Sequence, residues 1–207
     1  WQTVKNLGVL NNSTRLSATT YQGVTGSASY DDFTLRGAYV NRSMDRNSAD
    51  KKRFQTNAGK YIDHLTSGEL TWKSDVLDVQ YSYGESKNYL RRNILQANVK
   101  PLASLNVGAQ VYGTHALEDY KSMPAGRRDF DNDAWHFTVD AKWRAEKWSS
   151  RWGLGYTQAK KAHAVGFFPR HMSRHSRGTF TSMAFAGSDY MRDGELMLST
   201  ISDYNLT

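Results

Sequence analysis

Residues 134–146 read AWHFTVDAKWRAE, a sharp alternation of apolar and polar side chains. Its apolar set is Trp135, Phe137, Val139, Ala141 and Trp143. Its polar set is His136, Thr138, Asp140, Lys142 and Arg144. Because successive side chains of a β-strand point to opposite faces, the alternation predicts a strand with one apolar and one polar face. Aromatic residues stand at both ends of the apolar set, as in a strand that is anchored at both surfaces of a lipid bilayer.

The same alternation recurs along the chain, whereas the apolar spacing of helices is hard to find. No run of about 18 apolar residues occurs, which excludes a membrane-spanning helix. The sequence predicts about ten strands, at residues 20–30, 32–42, 68–73, 77–83, 90–99, 105–111, 134–146, 152–156, 179–186 and 195–204.

The connections between these strands alternate in length. Short turns are predicted at 31–32, 73–75, 100–101 and 146–147. Longer polar connections, rich in Lys, Arg and Asp, are predicted at 43–66, 115–133 and 160–177. Short turns on one side and long loops on the other are typical of outer-membrane barrels. We therefore predict an all-β, antiparallel transmembrane β-barrel; water-soluble up-and-down barrels, whose hairpins also vary in length, are the alternative.

Composition narrows the possible functions. The 207 residues show no linker, so we predict that residues 1–207 form part of one barrel domain. The 27 Lys and Arg against 20 Asp and Glu give a net charge of +7, which favours an anionic partner. Cysteine is absent, which excludes disulfides and thiolate chemistry. The chain opens at Trp1 without a secretory leader, so any such signal is expected to have been removed or to lie outside this sequence.

The residues do not favour an enzyme or a cofactor-binding protein. His64, His115 and His136 have no spacing that links them to a nucleophile. No Gly-rich phosphate motif occurs, and the basic residues are too scattered for a nucleic-acid surface. The run 167–175, FFPRHMSRH, is interpreted as an anion-facing or lipid-facing patch rather than a metal site. We therefore predict no catalytic residues, no metal and no cofactor.

Several motifs resemble the porin D family of Gram-negative outer-membrane channels. Residues 10–16 (LNNSTRL) and 19–24 (TTYQGV) resemble the signature of the family's third loop. The likeness continues in family order through 67–70 (SGEL), 81–84 (YSYG), 88–92 (NYLRR), 187–190 (GSDY) and 194–195 (GE). The family's barrels have 18 strands and about twice this length, so the resemblance implies an interior portion of such a barrel. It also implies a bacterial outer-membrane location and a monomer or loose homo-oligomer.

The resemblance and the alternation together nominate pore-lining residues. Arg15 matches an arginine of the third-loop signature, which belongs to a ladder of basic side chains in the family. Asp189 matches the seventh loop, which bends into the channel; turn capping is its alternative role. The alternation adds Arg36, Arg91, Arg92, Lys142 and Arg144, which would otherwise reach lipid headgroups or lipopolysaccharide phosphates. Tyr21 and Phe168 are candidate stacking surfaces, although such residues more often pack loops against the wall.

The expected function is passive, selective diffusion of small carboxylates, amino acids or aromatic acids through a basic constriction. The expected partners are small anionic or zwitterionic solutes and the lipid and lipopolysaccharide of the outer membrane, with no nucleic acid. An oligosaccharide channel of the chitooligosaccharide type is an alternative, favoured if aromatic side chains line the lumen. A non-transport barrel that acts as an adhesin or surface receptor is another, favoured by outward loops and an occluded lumen.

Overall fold

A computed structural model describes residues 1–4, 7–10, 19–45, 50–178 and 190–205. Within these ranges the chain forms twelve β-strands and little helix. The strands are β1 (Gln2–Thr3), β2 (Thr20–Tyr30), β3 (Phe33–Met44), β4 (Lys51–Gln55), β5 (Tyr61–Ile62), β6 (Leu65–Lys73), β7 (Leu77–Ser86), β8 (Leu90–Leu102), β9 (Leu105–Ala116), β10 (Asp133–Arg144), β11 (Trp148–Gln158) and β12 (Leu196–Tyr204). The helical elements are α1 (Glu118–Lys121) and two 3-10 turns, Gly8–Leu10 and Ala125–Arg127. In the described part of the chain, no helix is long and apolar enough to cross a membrane.

The strands form one antiparallel sheet in which the long strands pair with their neighbours along the chain. The order is β1-β2-β3-β6-β7-β8-β9-β10-β11-β12, and β4 pairs with β3 and β5 in a small side hairpin. The long strands have 9 to 13 residues, enough for a tilted strand to cross a bilayer. Among the described strands the sheet is not closed on itself, because β1 and β12 are its two edges.

The two faces of the sheet have opposite chemistry. The apolar face, defined by the row Ala109, Val139, Leu154 and Leu198 across four paired strands, is exposed. Exposed aromatic residues stand at its short-turn end, among them Phe33, Trp143, Trp148 and Tyr204. The polar face, on the other side, carries buried Ser, Thr, Gln, Glu and Asp side chains. A sheet with its apolar face outward matches a transmembrane barrel, whose lumen is polar.

The predicted short turns and long connections are present with one correction, and the β7–β8 connection on the long-loop side is a further short turn at 87–89. The turn predicted at 100–101 was wrong, because β8 continues to Leu102 and the turn follows at 103–104. The register between β8 and β9 is irregular between Val99 and Leu102, where Pro101 cannot donate a ladder hydrogen bond. The 43–66 connection contains the β4–β5 hairpin, and the 115–133 connection contains α1. The strand predicted at 179–186 lies outside the described residues.

Two non-strand segments fold onto the polar face near the long loops. Val9, in the first 3-10 turn, packs so closely on Gly84 that a Cβ there would lie 2.2 Å from a Val9 methyl. Phe168, in the connection after β11, packs its ring edge-on to Tyr112 of β9, with centroids 6.5 Å apart. The buried apolar side chains include those of these two segments and also Phe54 and Ile62 of the β4–β5 hairpin and Tyr120 and Phe130 of the 117–132 connection.

Candidate functional site

The mouth on the long-loop side contains a basic cavity of about 360 Å³. It lies between the 50–62, 117–132 and 166–178 regions, and its charged and imidazole lining is Asp129, Arg170, His171, Arg174, His175 and Arg177. Guanidinium groups bind carboxylates and phosphates through paired hydrogen bonds, so this lining suits an anionic solute.

Titration in this cavity reflects both burial and positive charge. Burial lowers the pKa of His171 to about 4, and the nearby guanidiniums of Arg177, Arg92 and Arg170 lower it further against the opposing effect of Asp45. The Nδ1 atom of His171 accepts a hydrogen bond of 3.1 Å from the Gly178 amide, which places the ring proton on Nε2. Burial raises the pKa of Asp129, whereas Asn57 and Lys161 lower it.

The middle of the polar face holds an ion-pair network around Glu69 of β6. The Nε of Arg36 on β3 donates to Glu69 Oε1 at 2.9 Å, and Nη2 of the same guanidinium also pairs with that oxygen. Glu69 Oε2 accepts from the Gly8 amide and from Gln80 Nε2, each at 2.9 Å. Arg36 therefore lies on the polar face, as the alternation predicts, but its charge is paired.

The short-turn end of the polar face is a second basic region. Lys142 and Arg144 of β10 line a cavity of about 490 Å³ together with Lys100 and Asp75. Lys142 pairs in register with Arg151 of β11, so a further guanidinium stands on the same face. The predicted placement of Lys142 and Arg144 on the polar face agrees with this register.

Arg92 lies on the polar face but is buried beneath the 168–170 segment, with 3% of its surface exposed. It donates to Thr114 Oγ1 at 2.8 Å, to the Arg170 carbonyl at 3.2 Å and to the Pro169 carbonyl. Its guanidinium carbon lies 4.9 Å from the centre of the Phe168 ring. The prediction that Arg92 faces solute is corrected, since this side chain attaches a loop to the wall. Phe168 is buried in the same contact, so it offers no open stacking surface.

Two further nominated residues also need correction. Arg91 lies on the apolar face, because it pairs in register with Glu85 and its Nε donates to that carboxylate at 3.3 Å. Alternation alone could not decide which of two adjacent arginines points to the polar face. Tyr21 is fully buried: its hydroxyl accepts from the Arg177 amide at 2.9 Å and its ring packs near Phe54.

Arg15 and Asp189 lie outside the described residues. Sequence reasoning also missed Glu69, which the structure places at the centre of the polar network. The available signal was its position in the alternation of β6, where it shares a face with Ser67. Glu69 is an acidic side chain on a face that was expected to be basic, and this indicated a pairing with a cation such as Arg36.

An antiparallel meander with an exposed apolar face, aromatic ends and a polar opposite face belongs to the class of outer-membrane β-barrels. A family model described as outer membrane porin, OprD family, matches residues 2–206, and the chain belongs to this family. The resemblance noted in the motifs is thereby confirmed.

Solved structures support the same fold. OccK8 (OprE) of Pseudomonas aeruginosa superposes with a TM-score of 0.78 at 16% identity, covering 98% of this chain and 56% of the other. OpdO of Pseudomonas aeruginosa gives 0.75 at 17%, covering 99% and 52%. OpdK of Pseudomonas aeruginosa with vanillate gives 0.75 at 13%, covering 97% and 52%. The chain thus spans about half the length of these proteins. A comparison with curated protein sequences finds no match.

Proposed function

We propose that this chain is part of a porin that lets small carboxylates diffuse passively across the outer membrane. The observation that carries the proposal is the basic cavity at the long-loop mouth, where Arg170, Arg174 and Arg177 converge. Lys142 and Arg144 repeat the positive charge at the short-turn end. Fixed positive charge in a water-filled passage lowers the barrier for anions and raises it for cations.

Aromatic acids are the substrate class that we propose first. The structural neighbour OpdK was solved with vanillate, an aromatic carboxylate. By resemblance we also assign Arg15 and Asp189 to the constriction. Arg15 would bind carboxylates as one member of the ladder of basic side chains, and Asp189 would orient zwitterionic or hydroxylated solutes. The chain's net charge of +7 supports an anionic solute.

The alternative functions receive less support from the described residues. An oligosaccharide channel needs open aromatic surfaces along the passage, but Tyr21, Tyr112 and Phe168 are all buried in packing contacts. A surface receptor would use long loops that stand outward, but the 168–172 segment folds onto the polar face and bonds to Arg92 and Ser86.

A closed barrel is required for the test, because an open sheet edge exposes unpaired backbone groups that lipid cannot satisfy. We propose that the conducting unit is a complete barrel containing this chain. Its reversal potential is measured in a planar bilayer under a salt gradient, with and without vanillate and chitooligosaccharides. We expect anion preference and current block by vanillate. Weak selectivity with block by the sugars alone would contradict the carboxylate assignment.

Arg15→Ala is the variant for this experiment, with Arg91→Ala on the apolar face as its matched control. We expect Arg15→Ala to lower anion preference while the barrel still folds, as shown by heat-modifiable migration on gels. Arg91→Ala is expected to leave selectivity unchanged. Equal selectivity of Arg15→Ala and the parent would remove Arg15 from the proposed ladder.

A further inference from the structure

The short segment 7–10 is fitted to the polar face of β6 and β7 at close range. The Val9 amide donates to Ser67 Oγ at 3.2 Å, and the same hydroxyl donates to the Leu7 carbonyl at 3.1 Å. Gly8 has φ +50°, and a Cβ there would lie 2.6 Å from Ser67 Oγ. Leu7, Val9 and Leu10 are buried. The segment therefore narrows the space over β6 and β7 at one defined position.

Glu69 is the charged group beneath this segment. Its side chain is 1% exposed, so its charge requires strong partners. Four groups donate to it: the Arg36 guanidinium on β3, the Gln80 amide on β7, the Gly8 amide of the segment and, at 3.5 Å, the Thr71 hydroxyl of β6 itself. Hydrogen bonds to a carboxylate are about twice as strong as neutral ones, so this one side chain links the segment to the wall.

The Arg36–Glu69 pair also sets the charge of the passage at this level. The Arg36 side chain is 31% exposed, so part of it borders the open space of the polar face. Its positive charge is balanced by a carboxylate in direct contact, which leaves little net attraction for a passing anion. The polar face thus carries more positive than negative side chains toward both ends and a compensated pair between them.

We infer that Glu69 is a specificity-determining residue of the channel: it neutralises Arg36 beside the narrowed passage and holds the 7–10 segment in place. The inference rests on the proposed function as a channel and assigns one residue a role within it. Glu69 acts on solutes through Arg36, and its removal exposes a cation that the native protein keeps balanced.

The test compares Glu69→Gln with the parent in the complete barrel, by reversal potential in a planar bilayer at low salt. The glutamine oxygen can still accept from the Gly8 amide, but the negative charge is gone. We expect the ratio of anion to cation permeability to rise about twofold to fivefold, the effect of one unit charge at several ångströms in water. An unchanged or reduced ratio would overturn the inference.

A double-mutant cycle identifies Arg36 as the group through which Glu69 acts. Arg36→Gln alone is expected to lower the ratio below that of the parent, because it leaves the negative charge of Glu69 unbalanced. The double variant of Arg36→Gln and Glu69→Gln is expected to return the ratio to near that of the parent, because both charges of the pair are then absent. An Arg36→Gln ratio equal to that of the parent, or a double-variant ratio equal to that of Glu69→Gln, would mean that Arg36 does not contribute to selectivity and that its pairing with Glu69 is irrelevant.

Ser67→Ala is the matched control for a purely structural effect. It removes the bonds to Val9 and Leu7 without changing any charge. Amide exchange of residues 7–10 should accelerate in Ser67→Ala, while the permeability ratio stays near that of the parent. If Ser67→Ala and Glu69→Gln shift the ratio equally, movement of the segment is the cause and the electrostatic inference fails.

The outcomes separate this inference from the proposed function. A parent channel that shows no anion preference and no block by vanillate refutes the carboxylate assignment. The cycle between Glu69 and Arg36 is still measurable in that channel, because it reports only the fixed charge at this level. If the single and double variants shift the ratio as expected in a channel that is blocked by sugars, the inference is retained and the carboxylate substrate class is discarded.

Discussion

Arg92 and His171 are neighbours in one contact between the wall and the 168–178 segment. Arg92 donates to the Pro169 and Arg170 carbonyls, and its charge contributes to the low pKa of His171. A buried guanidinium costs free energy unless its donors are satisfied, and here loop carbonyls satisfy several of them. The position of the loop and the charge state of His171 therefore depend on each other.

Acid is expected to loosen the 168–178 segment through His171. The pKa is about 4 in the docked segment and about 6.5 for a solvated histidine, so between these values the undocked form binds more protons. Protonation of Nδ1 would also remove the acceptor of the Gly178 amide. Amide exchange of residues 168–178, corrected for intrinsic rates, should accelerate as pH falls from 7 to 5, and docking should recover as pH rises.

His171→Gln is the control, because it keeps an acceptor for the Gly178 amide but does not titrate. The acid-induced acceleration should disappear in this variant. Burial raises the pKa of Asp129, so its protonation acts in the opposite direction and would persist in the variant. Burial is also the main cause of the lowered pKa of His175. His175→Gln therefore tests whether His175 contributes to the acid-induced acceleration. Undiminished acid sensitivity in His171→Gln would assign the effect to another group.

At the scale of elements, the alternation of side chains carries much of the information. It predicts β10 well, because each residue of that strand meets either lipid or the polar interior, and it predicts the middle of β11 at 152–156. It does not predict the phase of β8, where adjacent arginines occupy opposite faces. The burial of Arg92 depends on carbonyls as far as 78 residues away along the chain, and no local pattern encodes such a contact. The pairing of Glu69 with Arg36 is hidden for the same reason.

The apolar face makes a quantitative prediction at Val139. This side chain lies between Ala109 and Leu154 in register and is 51% exposed, as expected for a residue that meets lipid. Val139→Arg should lower the free energy of unfolding from the bilayer by about 2 to 4 kcal/mol, which is the destabilisation expected for a cationic side chain at the bilayer midplane. The measurement is reversible urea unfolding of the complete barrel in lipid vesicles.

Gln96→Arg is the matched control for Val139→Arg. Gln96 lies on the polar face of β8, one register level away, and its amide donates to the Tyr112 hydroxyl. Loss of that hydrogen bond is expected to destabilise the barrel by about 1 kcal/mol. No larger destabilisation is expected, because the new charge faces water rather than lipid. Equal costs for the two variants would contradict the assigned faces of the sheet.

At the scale of the whole molecule, the charges form a pattern that no single strand contains. Arg170, Arg174 and Arg177 come from one long loop, whereas Lys142 and Arg144 come from the opposite end of β10. The sequence predicts that loops are basic and that β10 has a polar face. It does not predict that the 168–178 segment turns inward, because that depends on its fit to the wall of β7 to β10. The proposed selectivity is thus a property of the assembled fold.

Selectivity that arises from these fixed charges must depend on ionic strength. The screening length is about 10 Å at 0.1 M salt and about 3 Å at 1 M. At 1 M salt a fixed charge on the wall therefore no longer acts across a passage that is wide enough for a solute. The ratio of anion to cation permeability should therefore fall toward unity between 0.1 and 1 M mean salt. Lys142→Gln combined with Arg144→Gln should lower the ratio at 0.1 M and flatten its dependence on salt. A ratio near unity at both concentrations, with block by chitooligosaccharides that salt does not weaken, would instead indicate selection by shape and hydrogen bonding.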